Sequence, residues 1–252
     1  MRRAFVLLAA ALLLSSPLSV LAHKARHHAP AAPPEVALLK RLQTDYPTLD
    51  VTSVKPSPVA GLFEMTYSHK IAYVDASGRY FITGDLLDLK ARKNLSTDAQ
   101  ASARRIDPAK LPMADSFKLT AGDGSRVIYV FSDPDCPYCQ ALDTRLATLD
   151  NYTAYIFLFP LGELHPDAVR KATAIWCAPD KAAAWIATVR DRKAIDTATC
   201  DNPIVRNRAL GESFGIDGTP AIYLANGMPF EDRNEALDAA MTAAAVPAVK
   251  TP

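Results

Sequence analysis

The sequence predicts a small α+β unit followed by a larger α/β unit. Three observations carry that reading. Short strand-like runs crowd residues 62–84 behind one amphipathic helix. A polar stretch without apolar periodicity, bounded by Pro108 and Pro112, separates them from the C-terminal half of the chain. In that half, buried-strand runs alternate with helical ones, and the first such strand runs into Cys136-Pro137-Tyr138-Cys139.

The chain opens on an address. Arg2 and Arg3 precede an apolar run from Phe5 to Leu14, and Val20-Leu21-Ala22 offers small residues for cleavage. Residues 1–22 therefore read as a secretory signal peptide and are excluded from the fold. The apolar run falls short of the roughly 18 residues of a membrane span. Without Arg2 and Arg3, the 28 basic residues become 26 against 27 acidic ones, a mature net charge of −1. That balance excludes a nucleic-acid partner held by bulk charge. At 49% hydrophobic and 22% charged residues, the chain is too apolar to be disordered.

Residues 23–35 form an Ala/Pro-rich, mobile lead-in. His23, His27 and His28 sit there, and a solvated basic segment is the better reading than a metal tract. Residues 36–96 form the α+β unit. Val36, Leu38, Leu39 and Leu42 share one helix face, and Pro47 stops the helix. LFEMTY, KIAYVDA and GRYFITG read as strands, with Asp75-Ala76-Ser77-Gly78 turning between the last two. A unit of this size buries little core alone, so docking or dimerisation is expected. His69, near a strand end, carries no expected role. Residues 97–112 read as a linker, helical from Thr97 to Arg105 with Ser96 or Thr97 as its cap.

Residues 113–248 form the α/β unit. RVIYVFS is its first strand, and a helix from Tyr138 carries Leu142, Leu146 and Leu149. YTAYIFLFP is a second strand, and helices are expected at 166–177 and 181–191. AIYLA is a third strand, Asn226-Gly227 marks a hairpin turn, and 231–245 reads as an Ala-rich closing helix.

The chemistry lies where the first strand meets its helix. A thiol at a helix N-terminus faces unpaired N–H groups and the positive end of the helix dipole, which favour the thiolate. Pro137 suits the first helical turn. Cys136 is expected to be the exposed attacking sulfur and Cys139, one turn on, the buried resolving one. A thiol of pKa about 8.5 is roughly 3% ionised at pH 7, and lowering its pKa to about 5 raises that about 30-fold. A Brønsted slope of about 0.4–0.5 removes a similar factor in nucleophilicity. What remains is a better leaving group, which suits an exchange catalyst.

Thr219-Pro220 precedes the strand AIYLA, where a proline at the first strand position spares the ladder and a cis bond makes a tight turn. Asp133 and Asp135 flank the motif and read as solvated turn residues more readily than as groups that tune the thiol. Phe131 and Tyr138 are expected to line the docking surface, and Trp176 and Trp185 to sit in the core. Cys177 and Cys200 complete an even set of four cysteines in an exported chain, so two disulfides are possible. Four cysteines allow three pairings, and the spacing does not choose among them.

With strand-CPYC-helix and Thr219-Pro220 together, residues 116–245 resemble a thioredoxin fold. FSDPDCPYC and GTPAIYLANG carry the likeness most specifically. With the signal peptide, the preceding unit and the linker, the chain resembles the periplasmic DsbC/DsbG thiol:disulfide interchange family. The resemblance implies an α+β N-terminal dimerisation domain followed by an α/β thioredoxin-fold catalytic domain. It implies a periplasmic homodimer acting on misfolded or oxidised secreted proteins, kept reduced by a DsbD-like membrane thiol reductase. By position, Cys136 is the nucleophile, Cys139 the resolver, and Thr219 and Pro220 shape the substrate-docking edge. Cys177 and Cys200 match the structural disulfide of DsbC, a bridge that would close a loop of 24 residues. The Pro137-Tyr138 pair is instead like DsbG, so reduction of sulfenylated single cysteines is the alternative activity, with a holdase chaperone beside it.

No metal or organic cofactor is implied. A zinc site lacks a second close Cys/His pair, and haem attachment lacks a histidine after Cys139, where Gln140 stands. A DsbA-like oxidase is disfavoured by the extra N-terminal unit.

Overall fold

Proline at the first helical turn and leucines four apart start the structure: Pro34–Asp45 is a helix (α1) that buries Leu38 and Leu42. The computed structural model describes residues 33–231 and 236–245. The signal peptide, the histidine tract and the last residues of the α/β unit lie outside the described residues, as does the stretch 232–235 of the expected closing helix.

α1 packs on an antiparallel sheet of β1 (Val51–Pro56), β2 (Leu62–Tyr67), β3 (Lys70–Asp75) and β4 (Phe81–Ile82), in that spatial order. Leu38 and Leu42 meet Val51, Val54, Met65, Ala72 and Val74 in one core. β1 is not apparent from sequence: VTSVKP buries two valines three apart, and its register with β2 slips between Val51 and Ser53. The turn at Asp75 is set by one carboxylate. It accepts the backbone N–H groups of Ser77, Arg79 and Tyr80 and the Ser77 hydroxyl. Led by the hydroxyl, these donors hold its pKa at about 2.

A two-stranded ribbon, β5 (Leu87–Asp88) and β6 (Lys93–Asn94), leads into α2 (Leu95–Ala103). α2 begins earlier than expected because Asn94 is its cap, its side chain accepting from Ser96 N and Thr97 N. Ser96 turns inward instead, to the Tyr73 hydroxyl at 2.7 Å and Leu86 N at 2.8 Å. Gln100 clamps the β2–β3 turn, accepting from Ile71 N and donating to His69 O. The first half of the expected linker is thus a helix fastened to β3. The chain then crosses: Ile106 N donates to Gly227 O at 3.0 Å, and Arg104 pairs with Glu231. Gly227 is required there, since its φ is +80° and a Cβ would lie 2.1 Å from Ile106 O.

The second sheet runs β10-β8-β9-β7, built from β7 (Phe117–Ala121), β8 (Arg126–Ser132), β9 (Tyr152–Leu158) and β10 (Ala221–Leu224). Only β8 and β9 are parallel, joined across α3 (Pro137–Leu146). Strand alternation divides its residues between two cores. Ile128, Val130, Ala154, Ile156 and Leu158 pack with Leu142, Trp185, Val189 and Met241 on one face. Phe131, Phe157 and Phe159 pack with Ile216 and Tyr223 on the other.

α4 (Ala168–Cys177), α5 (Lys181–Trp185) with a π-turn at Ile186–Arg190, α6 (Ile204–Ser213) and α7 (Leu237–Ala244) complete the unit. β7 and α6 are likewise not apparent from sequence. FKLTA is short and part polar, and α6 mixes polar and apolar residues without a clear stripe, hiding its buried Ile204, Asn207 and Gly211. Among the described residues no helix is long and apolar enough to cross a membrane.

Candidate active site

β8 ends at Ser132, and Cys136 caps α3 with extended backbone (φ −70°, ψ 122°) while Pro137 takes the first helical position. Both Cys136 and Cys139 are free thiols. The expectation of an exposed Cys136 needs correction, since its residue is only 4% exposed and Cys139 only 1%. The loop carrying the cis peptide Thr219–Pro220 covers it, with the Thr219 carbonyl 3.2 Å from the Cys136 sulfur.

The two sulfurs are driven apart in acidity. The Cys136 pKa falls to about 5. Hydrogen bonding from the Cys139 thiol is the largest cause, burial opposes it, and the Thr219 side chain and the N–H groups of Cys139 and Tyr138 add to it. The helix N-terminus invoked from sequence is present but secondary. Cys139 moves the other way: burial pushes its pKa up strongly, and donating to Cys136 reinforces the shift. Asp133 N donates to the Cys139 sulfur at 3.4 Å.

Asp133 is not a solvated turn residue. Its side chain is fully buried and accepts from Asp135 N at 2.7 Å, Leu161 N at 2.7 Å and His165 Nδ1 at 2.9 Å. Those three donors satisfy the carboxylate within the fold and so permit its burial. Asp135 is also paired, to Lys171 Nζ at 2.5 Å. His165 escapes a reading of the sequence, because its partner lies 32 positions away.

Phe131 does not line a docking surface. It is wholly buried, stacked on Phe157 with ring centroids 5.0 Å apart and edge-on to Phe159, Phe214 and Tyr223. Tyr138, 67% exposed, does face outward. It borders a cleft of about 730 Å³ floored by Leu142, Ile216, Pro220, Ile222 and Phe230, with Arg104, Arg145, Asp217 and Glu231 among its polar lining. Thr219, whose carbonyl meets the Cys136 sulfur, lines it beside Pro220.

α3 is anchored from behind. Asp143 is buried and accepts from Trp185 Nε1 at 2.9 Å and Arg190 Nε at 2.7 Å, tying the cysteine helix to α5 and the π-turn. Trp185 is core, and Trp176 packs against the same core. Cys177 and Cys200 form a disulfide with Cα atoms 5.7 Å apart. Among the described residues no group of three or more His, Cys, Asp or Glu side chains is placed to hold a metal ion.

Comparison with known proteins matches both halves of the chain. Residues 29–97 match the disulfide bond isomerase protein N-terminal domain, and residues 113–246 match a thioredoxin-like domain. A probable thiol:disulfide interchange protein DsbC of Bordetella pertussis is 36% identical over 191 residues, covering 76% of this chain and 67% of that protein. Thiol:disulfide interchange protein DsbC of Escherichia coli K12 is 30% identical over 178 residues, 70% of this chain and 74% of that protein. A crystal structure of a disulfide interchange protein from Neisseria gonorrhoeae superposes with a TM-score of 0.50 at 36% identity, covering 53% of this chain and 98% of that one.

Proposed function

Because the chain belongs to the DsbC family and is a thiol:disulfide interchange protein, we propose that Cys136 is its nucleophile and Cys139 its resolving thiol. One observation carries this reading: a helix-capping thiol with a pKa of about 5 lies against a buried thiol whose acidity is suppressed.

The Cys136 thiolate attacks one sulfur of a substrate disulfide. A Cys136–substrate bond forms, the substrate bond breaks, and the second substrate sulfur leaves as thiolate. In isomerisation another substrate thiolate attacks the mixed disulfide, and Cys136 departs as the stable thiolate that its low pKa implies. In net reduction Cys139 loses its proton and attacks instead, leaving a Cys136–Cys139 disulfide and a fully reduced substrate. Two electrons must then come from an external dithiol, the role of a DsbD-like membrane reductase. Thr219 and Pro220 border the cleft and form the edge on which the substrate strand docks.

The substrates proposed are misfolded exported proteins in the periplasm, to which residues 1–22 would direct the chain. A homodimer through the first unit is supported by its exposed side. β4 ends its sheet, and Tyr80, Phe81, Ile82, Leu87 and Leu89 are exposed on and beside it.

The test is reactivation of a scrambled multi-disulfide protein in a glutathione buffer. Wild type should restore activity and Cys136→Ala should not. Isomerisation by the variant would overturn the nucleophile assignment, and no reactivation by folded, reduced wild type would overturn isomerisation in favour of reduction of sulfenylated single cysteines.

A further inference from the structure

The motif Asp133-Pro134-Asp135 places two carboxylates immediately before the reactive sulfur. Unbalanced negative charge there opposes a thiolate at Cys136. Each is matched by a basic side chain from one segment, the loop and helix start at 165–171. Lys171 holds Asp135, and His165 holds Asp133. The two pairs differ in kind. Asp133 is wholly buried, whereas Asp135 is 19% exposed. Lys171 stays charged through neutral pH, whereas histidine is the side chain that changes charge there.

We propose that His165 is a positioning residue for exchange: by pairing with the buried Asp133 carboxylate it cancels a negative charge three residues from Cys136, and so sets how good a leaving group that sulfur is. The inference rests on the reading of Cys136 as the nucleophile. The geometry is specific. Asp133 Oδ2 is shared between Leu161 N and His165 Nδ1, so the backbone fixes the carboxylate and the carboxylate fixes the ring. The groups acting on His165 are Asp133, Asp135 and Cys136, all favouring its charged form, with Lys171 and Asp167 paired beside them. The hydrogen bond to Asp133 is the main reason that its proton is held above the ordinary histidine range, against partial burial.

Loss of that proton leaves Asp133 uncompensated. The Cys136 thiolate then becomes more basic, hence a stronger nucleophile and a poorer leaving group. The reduced protein carries this signature in its alkylation rate. With the sulfur already ionised above pH 6, the rate should be flat until His165 titrates, then step up about threefold for a basicity change of about one unit.

The experiment compares wild type, His165→Gln and His165→Lys. Iodoacetamide alkylation of Cys136 is followed between pH 5 and 9, and its thiolate absorbance at 240 nm is titrated. Glutamine keeps a donor for Asp133 without charge, and lysine keeps the charge without titrating near neutrality. Expected are the step in wild type only and a Cys136 midpoint raised by about one unit in His165→Gln, roughly tenfold in thiolate-to-thiol ratio, but not in His165→Lys. An unchanged midpoint and step in His165→Gln would overturn the proposal and leave His165 a structural hydrogen-bond donor. If His165→Gln does not fold, a step present in both wild type and His165→Lys overturns it, and a step in wild type alone supports it. Failure of the underlying reading looks different: the absorbance band would then survive in Cys136→Ala.

Discussion

The sulfur of Cys136 lies 3.2 Å from the carbonyl oxygen of Thr219. Only a thiol can donate to that carbonyl. Ionisation therefore gives up that contact with the cis-proline loop and leaves the sulfur held by the Cys139 thiol and the helix N–H groups. With a folded pKa near 5 and an ordinary unfolded thiol, the reduced protein binds fewer protons folded than unfolded between those values. That stabilisation is complete above the unfolded thiol pKa and is lost as pH falls through about 5. Reduced wild type should lose its Tm advantage over Cys136→Ser between about pH 9 and 5, read by thermal melts across that range.

Removing Cys139 should change two things. The resolving step disappears, so Cys139→Ala should accumulate a mixed disulfide with a peptide substrate, seen as an adduct by mass spectrometry. The largest cause of the Cys136 acidity also disappears, so the thiolate midpoint should rise in Cys139→Ala. Cys139→Ser, which keeps a donor, should raise it less. Equal midpoints in both variants would place the acidity elsewhere.

Asp143 has two donors and little solvent. Asp143→Ala would leave Arg190 and the Trp185 indole N–H without their acceptor. A loss of about 3 kcal/mol in urea unfolding is expected. Exchange per folded molecule should fall as well, because the same carboxylate steadies the helix that carries both cysteines.

The Cys177–Cys200 disulfide is separable from the chemistry. Replacing Cys177 and Cys200 together by alanine should lower stability by about 3.4 kcal/mol for a 24-residue loop, measured by chemical denaturation under oxidising conditions. Exchange by the folded fraction should persist.

Features held by neighbours in sequence are legible without the structure. The β8 run, the cysteines opening α3, Thr219-Pro220 and the Asp75 turn each declare themselves within about ten residues. The β8 and β9 runs read as buried because both faces are apolar. The burial of Asp133 does not, since its acceptor role is satisfied by Leu161 and His165 across the top of the sheet. The covering of Cys136 arises from a loop 83 residues away. α2 is legible but reads as starting late, because Ser96 and Thr97 are themselves capping residues and only the fold shows the Asn94 side chain under two N–H groups. Its place beside the motif suggests a surface position for Phe131, yet strand alternation sends it into the aromatic core. Proximity in sequence misleads there, where period two decides.

Between Cys177 and Cys200 the chain carries the kind of bond it exchanges in others. Of the three ways to pair four cysteines, a single one joins these two and confines redox cycling to Cys136 and Cys139. Either other pairing would tie Cys136 and Cys139 to Cys177 and Cys200 and leave no free thiol to exchange. The Cys177–Cys200 bridge therefore does more than brace the fold: it keeps two further sulfurs out of reach of the reactive pair.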